Sequence, residues 1–97
     1  MTPRFSVLTV PQFDRLLRRL AKRHHELLGL YAQAREILEV DPLNLSRQHN
    51  IKKLTNVGAG EGGQYRLALR RFRFRYDVAG REVILYYCGL RRENTYG

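Results

Sequence analysis

Five arginines fall within fourteen residues of this 97-residue chain, in the stretch Gln64 to Asp77, QYRLALRRFRFRYD. The guanidinium carries a permanent charge and a planar fork of donors that matches two phosphate oxygens at once, so clustered arginines are chemistry for holding a polyanion. Their spacing says how they are held. Side chains alternate faces along a strand. A chain reversal at Arg70-Arg71 sets Leu69 opposite Phe72, Leu67 opposite Phe74 and Tyr65 opposite Tyr76 on one face, and Ala68 opposite Arg73, Arg66 opposite Arg75 and Gln64 opposite Asp77 on the other. The first face is an apolar core wall and the second a cationic palm. A slip of one residue would drive the arginines into the core, so the register is strongly specified. Arg-Arg is poor chemistry for a tight hairpin turn, which favours Asn or Gly, and a looser loop is expected there.

Other cations lie within reach of that palm. Lys52 and Lys53 precede the hairpin, and Arg91 and Arg92 follow the last strand, with Tyr96 close behind. Histidines His24, His25 and His49 show no metal spacing with a cysteine or an acid, and no metal site is expected. The single Cys88 leaves no partner for an intramolecular disulfide and, lying in an apolar strand, reads as a small buried hydrophobe.

The whole chain shares the bias. Eighteen basic residues, fifteen of them Arg, against nine acidic ones give a formal charge of +9 and a pI near 10.4. That balance points to a polyanionic partner without choosing among RNA, DNA, anionic lipid and acidic protein. The length is that of one domain with a single modest core, spanning residues 1–97. No run reaches the roughly 18 apolar residues of a membrane span, and the N-terminus has too short an apolar stretch for a secretory signal, so a cytoplasmic protein is expected.

The elements that must carry these residues can be taken in order. Phe5 to Val10 reads as a short strand. Pro11 suits a first helical position, and Phe13, Leu16, Leu17 and Leu20 then recur at helical spacing, with Arg15, Arg18, Arg19, Lys22 and Arg23 over the rest of the surface. Such a basic side is able to touch lipid or nucleic acid, but a solvated face is its ordinary reading. Residues 22–26 (KRHHE) make a junction to a second helix carrying Leu27, Leu28, Tyr31, Ala34, Ile37 and Leu38. It should end before Asp41-Pro42, because proline disfavours helix in the residue before it. Residues 43–55 are polar, with Leu45, Ile51 and Leu54 as expected core anchors. The glycine-rich NVGAGEGG at 56–63 lacks the pattern of a phosphate-binding P-loop and reads as a flexible connection. After the arginine hairpin, a turn at Ala79-Gly80 leads to Val83–Cys88, apolar on both faces and hence a central strand. A tight turn there would place Val83, Leu85 and Tyr87 on the core face, and Ile84, Tyr86 and Cys88 on the palm side, with Tyr86 opposite Arg73. The expected fold is α+β: a small antiparallel sheet with an N-terminal strand and a helical hairpin packed on one face, in the order β-α-α-β-β-β.

This order, together with Asp41-Pro42 after the helical hairpin, Ile51-Lys52-Lys53-Leu54 before the glycine loop, Tyr65-Arg66-Leu67, Phe72-Arg73, and Gly89-Leu90-Arg91 followed by Tyr96, resembles the RelE/ParE superfamily of toxin-antitoxin toxins over nearly the whole chain. The resemblance to the mRNA-cleaving branch implies a ribosome-dependent endoribonuclease, an mRNA interferase, that cuts the A-site codon by attack of a ribose 2′-OH on the adjacent phosphate and so inhibits translation. It implies Arg66, Arg73, Arg91 and Tyr96 as catalytic residues, with Lys52, Lys53, Arg70, Arg71, Arg75 and Arg92 as nucleic-acid contacts, no cofactor, and a cognate antitoxin as partner beside ribosome and mRNA. Ala68 departs from the pattern, standing where the fully basic site has a second lysine. Arginine does not serve as a general base near neutrality. The proton acceptor is therefore open among Lys52, Lys53 and Tyr96, and positioning of the RNA for in-line attack is a further source of rate. The departure leaves two alternatives standing, a ParE-like DNA gyrase poison without nuclease activity and a non-catalytic member.

Overall fold

A computed structural model of the chain describes residues 4–58 and 61–91. Its elements run β1 (Ser6–Thr9), α1 (Pro11–Arg23), α2 (Leu27–Val40), β2 (Ile51–Lys53), β3 (Tyr65–Leu69), β4 (Phe72–Ala79) and β5 (Glu82–Leu90). The fold is α+β, with the strands in the order β1-β5-β4-β3-β2. The sheet is mixed. The helical hairpin returns the chain so that β1 lies parallel to β5, while the other pairs are antiparallel.

Proline opens α1 as its first residue, and the helix stops at His24, whose N–H still reaches Leu20 O at 2.9 Å. The apolar stripe of α1 and that of α2 both turn to one face of the sheet. There Phe13, Leu27, Leu30, Ala34 and Leu38 meet Leu67, Phe72, Phe74, Tyr76, Val83 and Leu85 in one core. Tyr76 is fully buried, and its hydroxyl donates to Pro42 O at 2.6 Å, so the central strand is tied to the end of α2. Burial raises this phenol above the ordinary tyrosine value, with Tyr65 and Asp41 adding to it.

The hairpin register is the one read from alternation, from Leu69 opposite Phe72 to Tyr65 opposite Tyr76. Its loop differs from expectation. Only Arg70 and Arg71 connect the paired residues, and Arg70 takes a left-handed backbone with φ 54°. For a residue with a Cβ that conformation costs on the order of 1 kcal/mol, which the apolar pairs on either side of the turn outweigh.

Three further expectations are corrected. Ile51–Lys53, read as part of a polar linker, forms the edge strand β2, because Ile51 and Leu67 share the core face of a register pair. Leu45 is not a core anchor: it is 82% exposed, in a loop held by Asp41, whose carboxylate accepts from Leu45 N, Ser46 N and Ser46 Oγ at 2.8, 3.1 and 2.6 Å. Burial opposes ionisation of Asp41, but these hydrogen bonds and His49 outweigh it and hold the carboxyl below its ordinary value. In β5 the turn falls one residue later, with Ala79 opposite Glu82, and a bulge intervenes between the Tyr76–Leu85 and Arg75–Tyr87 pairs. Val83 and Leu85 face the core as expected, but beyond the bulge the faces exchange. Cys88 is buried opposite Phe74, and Tyr87 stands on the palm side opposite Arg75. Burial raises the Cys88 thiol to about 11.

Candidate functional site

Every strand places its alternate residues on the sheet face away from the helices. Register pairs Lys52 with Arg66, Arg66 with Arg75, and Arg75 with Tyr87, so one row of side chains crosses β2, β3, β4 and β5. Adjacent strands lie about 4.8 Å apart, so the row is roughly 14 Å long. The next row sets Ala68 opposite Arg73 and Arg73 opposite Gly89. Small residues thus flank Arg73 on both neighbouring strands. Arg91 follows Gly89 by two positions, and its backbone N–H is anchored on Arg71 O at 2.6 Å.

Arg66, Arg73 and Arg91 converge. Desolvation at its half-buried position, and then the charges of Arg66 and Arg91, hold the Arg73 guanidinium below the ordinary arginine value, though an arginine stays protonated throughout the physiological range. Its Nη1 donates to Arg70 O at 3.2 Å and Phe72 O at 3.0 Å, which fixes the fork against the hairpin turn. Arg75 is held by Gly63 O, which accepts from Nη2 at 2.8 Å. The Nε atoms of Arg66 and Arg75 are buried without a hydrogen-bond partner. No ion pair joins Arg66, Arg73, Arg75 or Arg91 to a carboxylate among the described residues. A desolvated donor without an acceptor costs free energy that an incoming anion recovers.

The glycine loop contributes to this arrangement. Gly63 has φ 105°, and a Cβ there would meet Tyr76 N at 2.6 Å and the Arg75 carbonyl carbon at 2.9 Å. A side chain would push the loop off β4 and with it the carbonyl that holds Arg75. The flexible connection expected from composition is tied at its described ends. Gln64 N donates to Asp77 Oδ1 at 2.6 Å, Gln64 Nε2 to Val57 O at 3.1 Å, and Gly58 N to Glu61 Oε1 at 2.9 Å.

The structure divides the expected site residues. Lys52, Arg66, Arg73, Arg75 and Arg91 share the palm. Lys53 does not: it pairs with Tyr65, on the other face, and its Nζ lies 6.0 Å from that ring's centroid. Arg71 is turned toward the helices, where its Nη2 lies 3.1 Å from both Glu26 Oε2 and His24 Nδ1. Arg70 is exposed at the turn, and between it, Arg71, Leu90 and Arg91 lies a cavity of about 210 Å³. Arg92 and Tyr96 lie outside the described residues. Tyr86 is not opposite Arg73; Gly89 is.

Tyr87 is the palm residue that the sequence did not reveal. It is 40% exposed, and the tip of its ring lies over Gly89, where a Cβ would run into Cζ at 2.7 Å and Cε2 at 3.0 Å. Its hydroxyl is thereby carried toward the neighbourhood of Arg73. Tyr86-Tyr87-Cys88 has no alternation of polarity to mark a bulge, so no signal in the residues could have placed it.

No helix among the described residues is long and apolar enough to cross a membrane. Comparison with protein-family models, with curated proteins and with solved structures finds no match to this chain.

Proposed function

We propose that the palm binds the phosphodiester backbone of single-stranded RNA and that the protein is an endoribonuclease of the RelE-like toxin type, acting on mRNA in the ribosome. One observation carries the reading: Arg66, Arg73 and Arg91 converge with no ion pair to a carboxylate among the described residues, and the buried Arg66 Nε has no acceptor among them. Preorganised cations of this kind stabilise the extra negative charge that develops on phosphorus when a neighbouring 2′-OH attacks. The new bond joins O2′ to phosphorus, the bond to O5′ breaks, one proton leaves the 2′-OH and another is delivered to O5′. The arginines hold and neutralise the phosphate. Lys52, beside Arg66, and Tyr87, over Gly89, are palm groups near the three arginines whose side chains can exchange a proton, while Asp77, on the same face, is buried at the far end of the hairpin. A cognate antitoxin belongs to the same reading, its acidic residues matched to the positive face.

The competing reading, a gyrase poison without nuclease chemistry, draws on Ala68, buried beside Arg73 where a second lysine would supply the base. Primer extension on mRNA from cells expressing the protein separates the two. Translation-dependent cuts within codons, lost in Arg73→Ala, are the expected result. Intact mRNA with accumulating gyrase–DNA cleavage complexes would overturn the nuclease reading.

A further inference from the structure

The outward face of α1 carries Arg15, Arg18, Arg19, Lys22 and Arg23, all exposed, and none has an ion pair or a hydrogen-bonded acid among the described residues. At 100° per residue these five fall within an arc of about 140°, and Arg15 to Arg23 spans about 12 Å of axis. Phe13, Leu16, Leu17 and Leu20 occupy the opposite arc and pack into the core. The cations therefore point away from the sheet, opposite to the palm.

Three pairs in this stripe, Arg15–Arg19, Arg18–Lys22 and Arg19–Arg23, are like charges four residues apart. Such pairs destabilise a helix about as much as opposite charges stabilise it. Lys22 and Arg23 gain from the helix C-terminus, but Arg15, Arg18 and Arg19 lie too far from it. The helix thus bears a like-charge repulsion that no ion pair among the described residues offsets, and a polyanion laid along it would.

From this we infer that α1 is a second nucleic-acid surface, and that it docks on the phosphate backbone of double-helical RNA. An anionic membrane fits less well, because an interfacial helix sinks its apolar face into lipid and that face of α1 is occupied by the core. Four of the five cations are arginines, suited to phosphate forks. The choice of RNA rests partly on the palm reading. The molecule measures 38 × 29 × 27 Å, with cations on opposite sides. A straight duplex touches one side only, whereas a folded RNA can present a single strand to the palm and a duplex wall to α1.

The test uses the full chain and the triple variant Arg15→Gln/Arg18→Gln/Arg19→Gln, with Arg73→Ala as the palm control. Fluorescence anisotropy follows binding to an RNA hairpin with a single-stranded extension, to the single strand alone, to a DNA duplex of the hairpin stem sequence, to phosphatidylserine vesicles and to polyglutamate. The triple variant should lose at least tenfold in affinity for the RNA hairpin at 100 mM salt, with the log-log salt slope flattened by about 2 to 3, since each duplex phosphate contact contributes about 0.9. Its affinity for the single strand should stay within twofold of wild type. The variant removes repulsion, so its melting temperature should not fall, and Arg15→Lys/Arg18→Lys/Arg19→Lys should retain most of the hairpin binding. Unchanged hairpin affinity in the Gln variant would overturn the proposal. So would a larger loss on the DNA duplex, the vesicles or polyglutamate than on the RNA. A failure of Arg73→Ala to weaken single-strand binding would instead refute the palm reading and leave the α1 result to be judged on the hairpin arm alone.

Discussion

Replacing Arg73 by alanine tests the palm where its parts meet. In the free protein the change removes a half-buried cation repelled by Arg66 and Arg91, and removes two hydrogen bonds, to Arg70 O and Phe72 O. Each such bond contributes on the order of 1 kcal/mol net. Relief of repulsion and of desolvation acts in the opposite direction, so the variant should lie within about 1 to 2 kcal/mol of wild type. On binding, the loss is one charge-assisted contact to a phosphate, about 1.5 to 3 kcal/mol, or roughly a 10- to 150-fold weaker complex. The three convergent arginines contribute about −2.1 to the salt slope on a single strand, at about 0.7 per phosphate, and removal of Arg73 brings their share near −1.4. Anisotropy of a labelled single-stranded RNA between 50 and 400 mM salt reads both quantities, and urea unfolding reads the stability. An unchanged slope together with an unchanged affinity would show that Arg73 does not meet a phosphate. A loss of several kcal/mol of folding free energy would refute the account of Arg73 as a strained, functional cation.

Gly63→Ala forces a Cβ against Tyr76 N in a left-handed backbone; it should cost about 2 to 4 kcal/mol in urea unfolding and weaken RNA binding by freeing Arg75, whereas a cost under about 0.5 kcal/mol would mean the loop does not lie against β4. Gly89→Ala meets only the tip of the Tyr87 ring, which can swing away, so stability should change by less than about 1 kcal/mol while the Tyr87 ring resonances shift and RNA binding falls as in Tyr87→Ala. The Asp41 carboxyl titrates below its ordinary value in the folded protein. Its contribution is then fully present above the unfolded value of about 3.9 and is lost as pH falls through the lowered folded value. Asp41→Asn should therefore be less stable than wild type at pH 7, with the gap closing below about pH 4; a gap independent of pH would refute the role of the charge.

Much of the palm was legible in the sequence, because period-two alternation leaves one register in which Leu67, Phe74 and Tyr76 are buried and Arg66, Arg73 and Arg75 are not. The same periodicity logic gave both helices, and proline gave the start of α1 and the end of α2. Legibility failed where alternation failed. Val83–Cys88 is apolar on both faces, so its register depended on the turn at Ala79 and on a bulge that exchanges the faces of Tyr87 and Cys88. Ile51–Lys53 is too short to announce itself and becomes a strand only because β3 supplies its partner. Lys52 and Lys53 are adjacent in the chain, and pairing alone sends one to the palm and the other to Tyr65.

The residues by themselves thus determined which groups are cationic, which must be buried, and that the two sets lie on opposite faces of one hairpin. Those are local consequences of side-chain polarity and of a two-residue repeat. Tertiary structure decided what no local rule contains: that Arg91 is brought beside Arg73 across β4 and β5, that Tyr87 replaces Tyr86 on the palm, that Gly63 holds Arg75 by its carbonyl, and that Arg71 leaves the palm for Glu26 and His24. Each of these depends on strand order and on close backbone approach, which arise only when segments distant in the chain share one core.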